Sequence, residues 1–180
     1  LEAEIHTLLQ RDGKFSGSMV GSEISVAGFF LDQGTIRIDG TLAKHQIIVN
    51  GSGAMGELGF NALGTYENGW RGELSGFLLD AMDYGVWRQE KNAAVAYGGE
   101  GVLLQRFCLT DEESSVCLEG DARFGTDTLW TAQGDLNGLP LQWLNRLKLL
   151  DAPVSGAIEA KFAASGDSSS VLAAKAEVKL

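Results

Sequence analysis

The stretch Phe107-Cys108-Leu109-Thr110-Asp111-Glu112-Glu113-Ser114-Ser115-Val116-Cys117-Leu118-Glu119 holds two short apolar runs around an acidic, serine-rich segment. If the segment is a hairpin loop and Thr110 opposes Ser115, Leu109 meets Val116, Cys108 meets Cys117, and Phe107 meets Leu118. Arg106 then meets Glu119. One face is apolar through Phe107, Leu109, Val116 and Leu118, and the other carries both cysteines and the charge pair. Opposed cysteines in a non-hydrogen-bonded pair have Cα atoms about 4.5 Å apart, within disulfide reach. The spacing therefore predicts a Cys108–Cys117 disulfide and an oxidising compartment; two reduced thiols in a cytosolic strand pair are the alternative. Two cysteines without neighbouring histidines do not make a zinc site.

The same period of two recurs outward from this hairpin. Thr35-Ile36-Arg37-Ile38-Asp39, Glu57-Leu58-Gly59-Phe60-Asn61 and Trp70-Arg71-Gly72-Glu73-Leu74 alternate. So do Ala157 to Phe162 and Ala174 to Val178. Such alternation marks strands with one apolar and one polar face. Turn signals stand at Asp32-Gln33-Gly34, Asn50-Gly51, Glu67-Asn68-Gly69, Gly98-Gly99, Asp111 to Ser115, Gly125-Thr126-Asp127 and Gly166 to Ser170. Roughly a dozen strands at spacings of about 8–12 residues follow. Helical spacing is confined to Leu1 to Gln10, through Leu1, Ile5, Leu8 and Leu9, and to Pro140 to Lys148, through Leu141, Leu144 and Leu147. Two short helices do not cover a dozen strands. The sheet therefore closes on itself as a sandwich or barrel, or it stays open and curved with an apolar trough.

Glycine bears on that choice. The chain has 24 glycines and 2 prolines in 180 residues. Glycine is thus about twice its usual share of roughly 7%. Gly72 and Gly76 stand beside Trp70, Leu74 and Leu78, and Gly134 beside Trp130 and Leu136. Glycines on the apolar side of strands mark bends, bulges or close approach of another group. They predict either the curvature of a small barrel or a strongly coiled sheet with room inside.

Several function classes are excluded. The net charge of −10 denies a nucleic-acid binder its basic footprint and disfavours adsorption to anionic bilayers. No apolar run approaches a membrane span, and no secretory signal is present. Gly51-Ser52-Gly53-Ala54-Met55-Gly56 matches G-x-G-x-x-G, but the residues after it alternate like a strand, where a dinucleotide site needs a helix. His6 and His45 lie far apart without ligand-like companions. No nucleophile elbow, phosphate loop or zinc-protease motif occurs. No enzyme activity, cofactor or metal is expected. Trp70, Trp87, Trp130 and Trp143 are sugar platforms or, more simply, large core or interface residues, and Trp70 and Trp130, on the apolar side of their strands, fit wall or core.

The predicted architecture is all-β: a curved, mostly antiparallel sheet forming a β-taco or open barrel with an apolar groove, plus one or two short helices. Residues 1–180 form a single β-rich section. Alternation assigns the groove wall to Ile36, Ile38, Ile47 and Val49, then Leu58, Phe60, Trp70, Leu74 and Leu78. It continues with Phe107, Leu109, Val116, Leu118, Trp130 and Leu136, and ends with Ile158, Phe162, Ala174 and Val178. Each of these is equally a plausible core residue of a closed barrel.

The ordered set Trp70 to Leu74, Gly85-Val86-Trp87, Phe107-Cys108-Leu109, Val116 to Gly120, Trp130, Leu136, Leu139-Pro140-Leu141-Gln142-Trp143-Leu144 and Val154 to Ile158 resembles the TamB family, within the wider AsmA-like group. The resemblance covers roughly residues 70–165. It implies a section of a long periplasmic protein anchored in the inner membrane by a segment outside this stretch. It implies a taco-like trough with an apolar interior and no catalytic residues. Phospholipid, or another apolar ligand, moving between inner and outer membrane is the implied cargo. Assembly of autotransporters and other outer-membrane β-barrel proteins with TamA, through parts outside this stretch, is the other implied role.

Overall fold

The computed structural model describes residues 2–9, 13–26, 29–82, 84–142 and 154–179. Thirteen strands follow one another as hairpins. They are β1 (Glu2–Leu9), β2 (Phe15–Val26), β3 (Phe29–Thr41), β4 (Lys44–Gly53), β5 (Gly56–Tyr66), β6 (Gly69–Ala81) and β7 (Gly85–Gln89). Then come β8 (Ala93–Gly98), β9 (Gly101–Thr110), β10 (Ser115–Arg123), β11 (Leu129–Pro140), β12 (Ala157–Gly166) and β13 (Val171–Lys179). All join one antiparallel sheet in sequence order. β7 and β8 share a single slot: β6 pairs β7 through Leu78–Ala81 and β8 through Gly69–Leu74, and both halves pair β9 on the other side. Among the described residues β1 pairs only β2 and β13 pairs only β12, so the sheet is open and not a closed barrel.

Local chemistry explains the meander. Short turns at Glu67-Asn68, Gly99-Glu100, Asp111 to Ser114, Phe124 to Thr128 and Asp167 to Ser170 fall where turn residues cluster. Two expected turns are absent. Asp32-Gln33-Gly34 runs through β3 and Asn50-Gly51 through β4, and the actual reversal lies at Ala54-Met55. The G-x-G-x-x-G stretch is thus a β-hairpin without a helix. Gly34 and Gly51 oppose each other in register, and a Cβ on either meets a side chain: Ile24 Cδ1 at 2.5 Å or Leu31 Cδ1 at 2.7 Å. These glycines serve close approach, not reversal.

The expected helix at Leu1 to Gln10 is overturned. Glu2–Leu9 is a strand whose residues pair from Glu2↔Ser22 to Leu9↔Phe15. Helical spacing in so short a segment is a weak preference, and the ladder offered by β2 outweighs it. The helix expected over Pro140 to Lys148 lies largely outside the described residues, which include only its start. No helix among the described residues is long and apolar enough to cross a membrane.

The hairpin of Cys108 and Cys117 has the expected register from Thr110↔Ser115 to Phe107↔Leu118. The two cysteines form a disulfide with Cα atoms 4.1 Å apart, and both are buried. The expected Arg106–Glu119 pair does not form. The register shifts between Leu118 and Gly120. Arg106 Nη2 instead donates to Asp135 Oδ1 at 2.6 Å, one strand farther on, and Gln133 Nε2 donates to Glu119 Oε1 at 2.7 Å.

The break between β7 and β8 strips β6 of ladder partners at Ser75 to Phe77. A buried peptide group without a partner is costly. Gln89 fills the gap: Phe77 N–H donates to its Oε1 at 3.1 Å, while its Nε2 donates to the carbonyls of Leu74 and Lys91, each at 2.8 Å. Replacing Gln89 by Leu removes these bonds and is expected to cost about 1–3 kcal/mol, read as a lowered urea midpoint; an unchanged midpoint would contradict the role. Reducing the disulfide opens a short loop and should cost about 2–3 kcal/mol in the same assay, with two thiols titrating only after reduction.

Candidate functional site

Opposed residues in an antiparallel pair project to the same side, so the register assigns every strand residue to a face. One chain of partners runs Ile36↔Val49↔Phe60 and another Ile38↔Ile47↔Ala62↔Leu74↔Ala93. A third runs Leu109↔Val116↔Leu136↔Ala160↔Val178, and a fourth joins Phe107↔Leu118↔Gly134↔Phe162↔Ala176. Leu58, Trp70, Trp130, Ile158 and Ala174 fall on the same side. Eighteen of the nineteen residues assigned by alternation therefore share one face.

Leu78 is the exception. Between Asn61↔Ser75 and Gly59↔Leu78, β6 carries one residue more than β5. Gly76 sits there at φ +62°, a left-handed conformation that glycine adopts without strain. The extra residue reverses the alternation. It turns Leu78 to the polar side, opposite Arg88, and brings Phe77 and Leu79 to the apolar side. Counting by two across Gly76 missed both, and the glycine itself was the available signal. Trp87, Ala93, Val95 and Leu104 were also missed, because their strands are short or interrupted.

No Asp, Glu, Lys or Arg lies on the apolar face among the residues that the regular register assigns from β2 to β13. The other face carries Arg37, Asp39, Glu57, Arg71, Glu73, Asp80, Glu119, Asp135, Lys161, Lys175 and Glu177. Strand-to-strand packing is between sheet neighbours, so no second layer covers the apolar face within the described residues. Its flanks are open: Ile36 is 38% exposed, Leu118 42% and Val178 57%. Its middle is closed in, with Trp87 only 4% exposed.

Several glycines on this face are covered by neighbouring side chains. Trp70 lies over Gly64, where a Cβ would come within 2.6 Å of Cε2, and its Nε1 donates to His45 Nε2 at 2.8 Å on the strand beyond. His45 is buried, and its Nδ1 lies 3.1 Å from the Thr41 carbonyl. Accepting at Nε2 leaves Nδ1–H as the donor, which makes His45 a structural link between β4 and β6. Phe162 covers Gly134 in the same way, and Trp130 covers Gly166 while donating from Nε1 to the Asp167 carbonyl at 3.1 Å. The Asp167 carboxylate closes that turn, and the Ser169 hydroxyl and N–H, followed by Ser170, hold it below the usual carboxylate range. Trp87 Nε1 donates to the Tyr84 carbonyl at 2.7 Å. These three tryptophans are wall residues; Trp143 lies outside the described residues.

The polar face has clefts too. One of about 590 Å³ is lined by Glu119, Asp121, Thr131, Gln133, Ser165 and Lys175, among others. No cluster of potential metal ligands occurs among the described residues. His6 lies where no side chain is described.

A family model described as TamB, N-terminal domain, matches residues 1–180. No curated protein and no solved structure matches the chain. The geometry of the wall gives a direct test. Gly64→Val sets a side chain against the Trp70 ring and should free that indole, lowering stability by about 1–3 kcal/mol and shifting tryptophan emission to the red. Gly99→Val, at a position with open space, should do neither.

Proposed function

The chain belongs to the TamB family, a transport and assembly module of the cell envelope that works with TamA, and from that premise we propose that its charge-free face shields lipid acyl chains during phospholipid transport between inner and outer membranes. The observation that carries this reading is a face of eleven strand slots, β2 to β13, without a formal charge among its regularly paired residues, backed by a face rich in charges. Burying an acyl chain gains about 0.8 kcal/mol per CH₂. A long track therefore holds its cargo without specific polar contacts and lets it slide. Charged headgroups stay in water. The wall residues are those named by alternation, with Phe77 and Leu79 in place of Leu78. The chain needs no catalytic residue for this task. The disulfide fits an oxidising periplasm.

A second reading is favoured by β13, whose residues are exposed throughout. An exposed strand offers its backbone to an incoming strand, the mode by which a scaffold for outer-membrane β-barrel clients would act. Lys175, Glu177 and Lys179 on this strand are typical edge-blunting charges, so the lipid reading is preferred. A photo-crosslinker at Phe60, Leu74 or Leu118 should capture phospholipid, whereas one at Glu119 or Lys175 should not. Equal capture on both faces, or capture of unfolded barrel protein at β13 with lipid dispensable, would reverse the preference.

A further inference from the structure

We infer that His45 and Trp70 form an acid-sensitive latch: their hydrogen bond ties β4 to β6 while the imidazole is neutral, and it parts when His45 takes up a proton. The inference rests on the geometry of the wall and not on the lipid reading above.

His45 stands on the apolar face. It opposes Gly40 on β3 and Gly64 on β5, and it shares its side with Ile47, two residues on. Among the residues that the regular register assigns to this face from β2 to β13, it is the one group able to become a cation near neutral pH. The flanking glycines let large rings reach it. Trp70 crosses β5 over Gly64. Phe15, opposite Gly40 on β2, approaches from the other side, with its ring centroid 5.9 Å from that of the imidazole. Only 4% of His45 is left exposed.

The direction of the bonds fixes the protonation state. An indole N–H donates and does not accept. His45 Nε2 accepts it at 2.8 Å and therefore carries a lone pair. The single ring proton sits on Nδ1, 3.1 Å from the Thr41 carbonyl. A second proton has only Nε2 to go to. There it sets two N–H donors against each other, inside a site where an uncompensated charge is costly. The Thr41 bond survives this change and the Trp70 bond does not.

The surroundings offer the imidazolium no counter-charge. Of the residues on this side of β2, β3, β5 and β6 near the ring, Tyr66 alone is ionisable, and a phenol is uncharged in acid. Asp39 and Lys44, the nearest charges along β3 and β4, belong to the outer face. Lys14 precedes Phe15 and is itself a cation, and Glu67 is exposed in the turn after Tyr66. The fold thus favours the neutral ring. The latch is complete above the imidazole range and is lost as pH falls through it, from about pH 8 to about pH 5. Its loss frees the indole from Gly64 and Gly72, whose missing Cβ atoms it covers, and loosens the wall across β4, β5 and β6.

Exchange of the indole N–H with water, followed by NMR on the whole chain at pH 8 and pH 5.5, tests this. Trp130 is the internal standard, because its Nε1 donates to the Asp167 carbonyl. The neighbouring Asp167 carboxylate, held below the usual range chiefly by Ser169, stays ionised at both pH values. Trp70→Phe and Trp130→Phe assign the resonances. The ratio of the Trp70 rate to the Trp130 rate should rise about tenfold at pH 5.5, the worth of one hydrogen bond. The rise should track protonation of His45 Nε2, read from its nitrogen shift. In His45→Gln, whose amide oxygen accepts a bond but takes up no proton, the ratio should stay level. A level ratio in the unmodified chain overturns the latch, whether or not the variant folds. So does a rise that departs from His45 protonation, or an equal rise in folded His45→Gln.

Discussion

Hairpin register is the constraint on which the rest of this structure depends. With side chains alternating, a slip of one residue in any strand would carry charges such as Asp39, Glu73 or Lys161 onto the apolar face. Register is held because both faces object to the exchange: one loses burial, the other loses hydration. Short turns tie each strand to the next, and the Cys108–Cys117 bridge pins one hairpin beside the region where the ladder is most irregular. A single layer with an uncharged side follows directly, and so does its need for a cover that the described residues do not supply.

The second recurring device is the pairing of glycine with a large neighbour. Trp70 over Gly64, Phe162 over Gly134 and Leu31 over Gly51 each use the missing Cβ of one strand to seat a side chain from another. This thickens the wall without adding a layer, and it stiffens the sheet between strands. Sequence suggested that Gly134 makes room; there, as at Gly64 and Gly51, the room is filled by the protein's own residues. Gly76 acts differently, through its backbone, by admitting an extra residue that turns the face.

The alternating segments were legible because their period is a property of neighbouring residues alone. Ile36, Ile38, Leu58 and Phe60 fall where counting by two puts them. The Cys108 hairpin was legible for the same reason, with a loop short enough to fix the pairing. Leu78 was misread because one inserted residue inverts the count. Leu1 to Gln10 was misread because ten residues carry too little helical preference to resist a waiting strand. Arg106 was misread because β9 carries an extra residue between Leu104 and Phe107 in its pairing with β10, and counting back from the loop does not see it.

The sequence by itself determined the strand class, the apolar and polar residue sets and the resemblance to the TamB family, since each depends on order along the chain. Tertiary structure alone decided that β7 and β8 share one slot, that His45 links Thr41 to Trp70, and that Gln89 closes the gap in the ladder. These are relations between residues far apart in sequence. They arise because unpaired backbone groups and uncovered glycines must find partners wherever the folded sheet provides them.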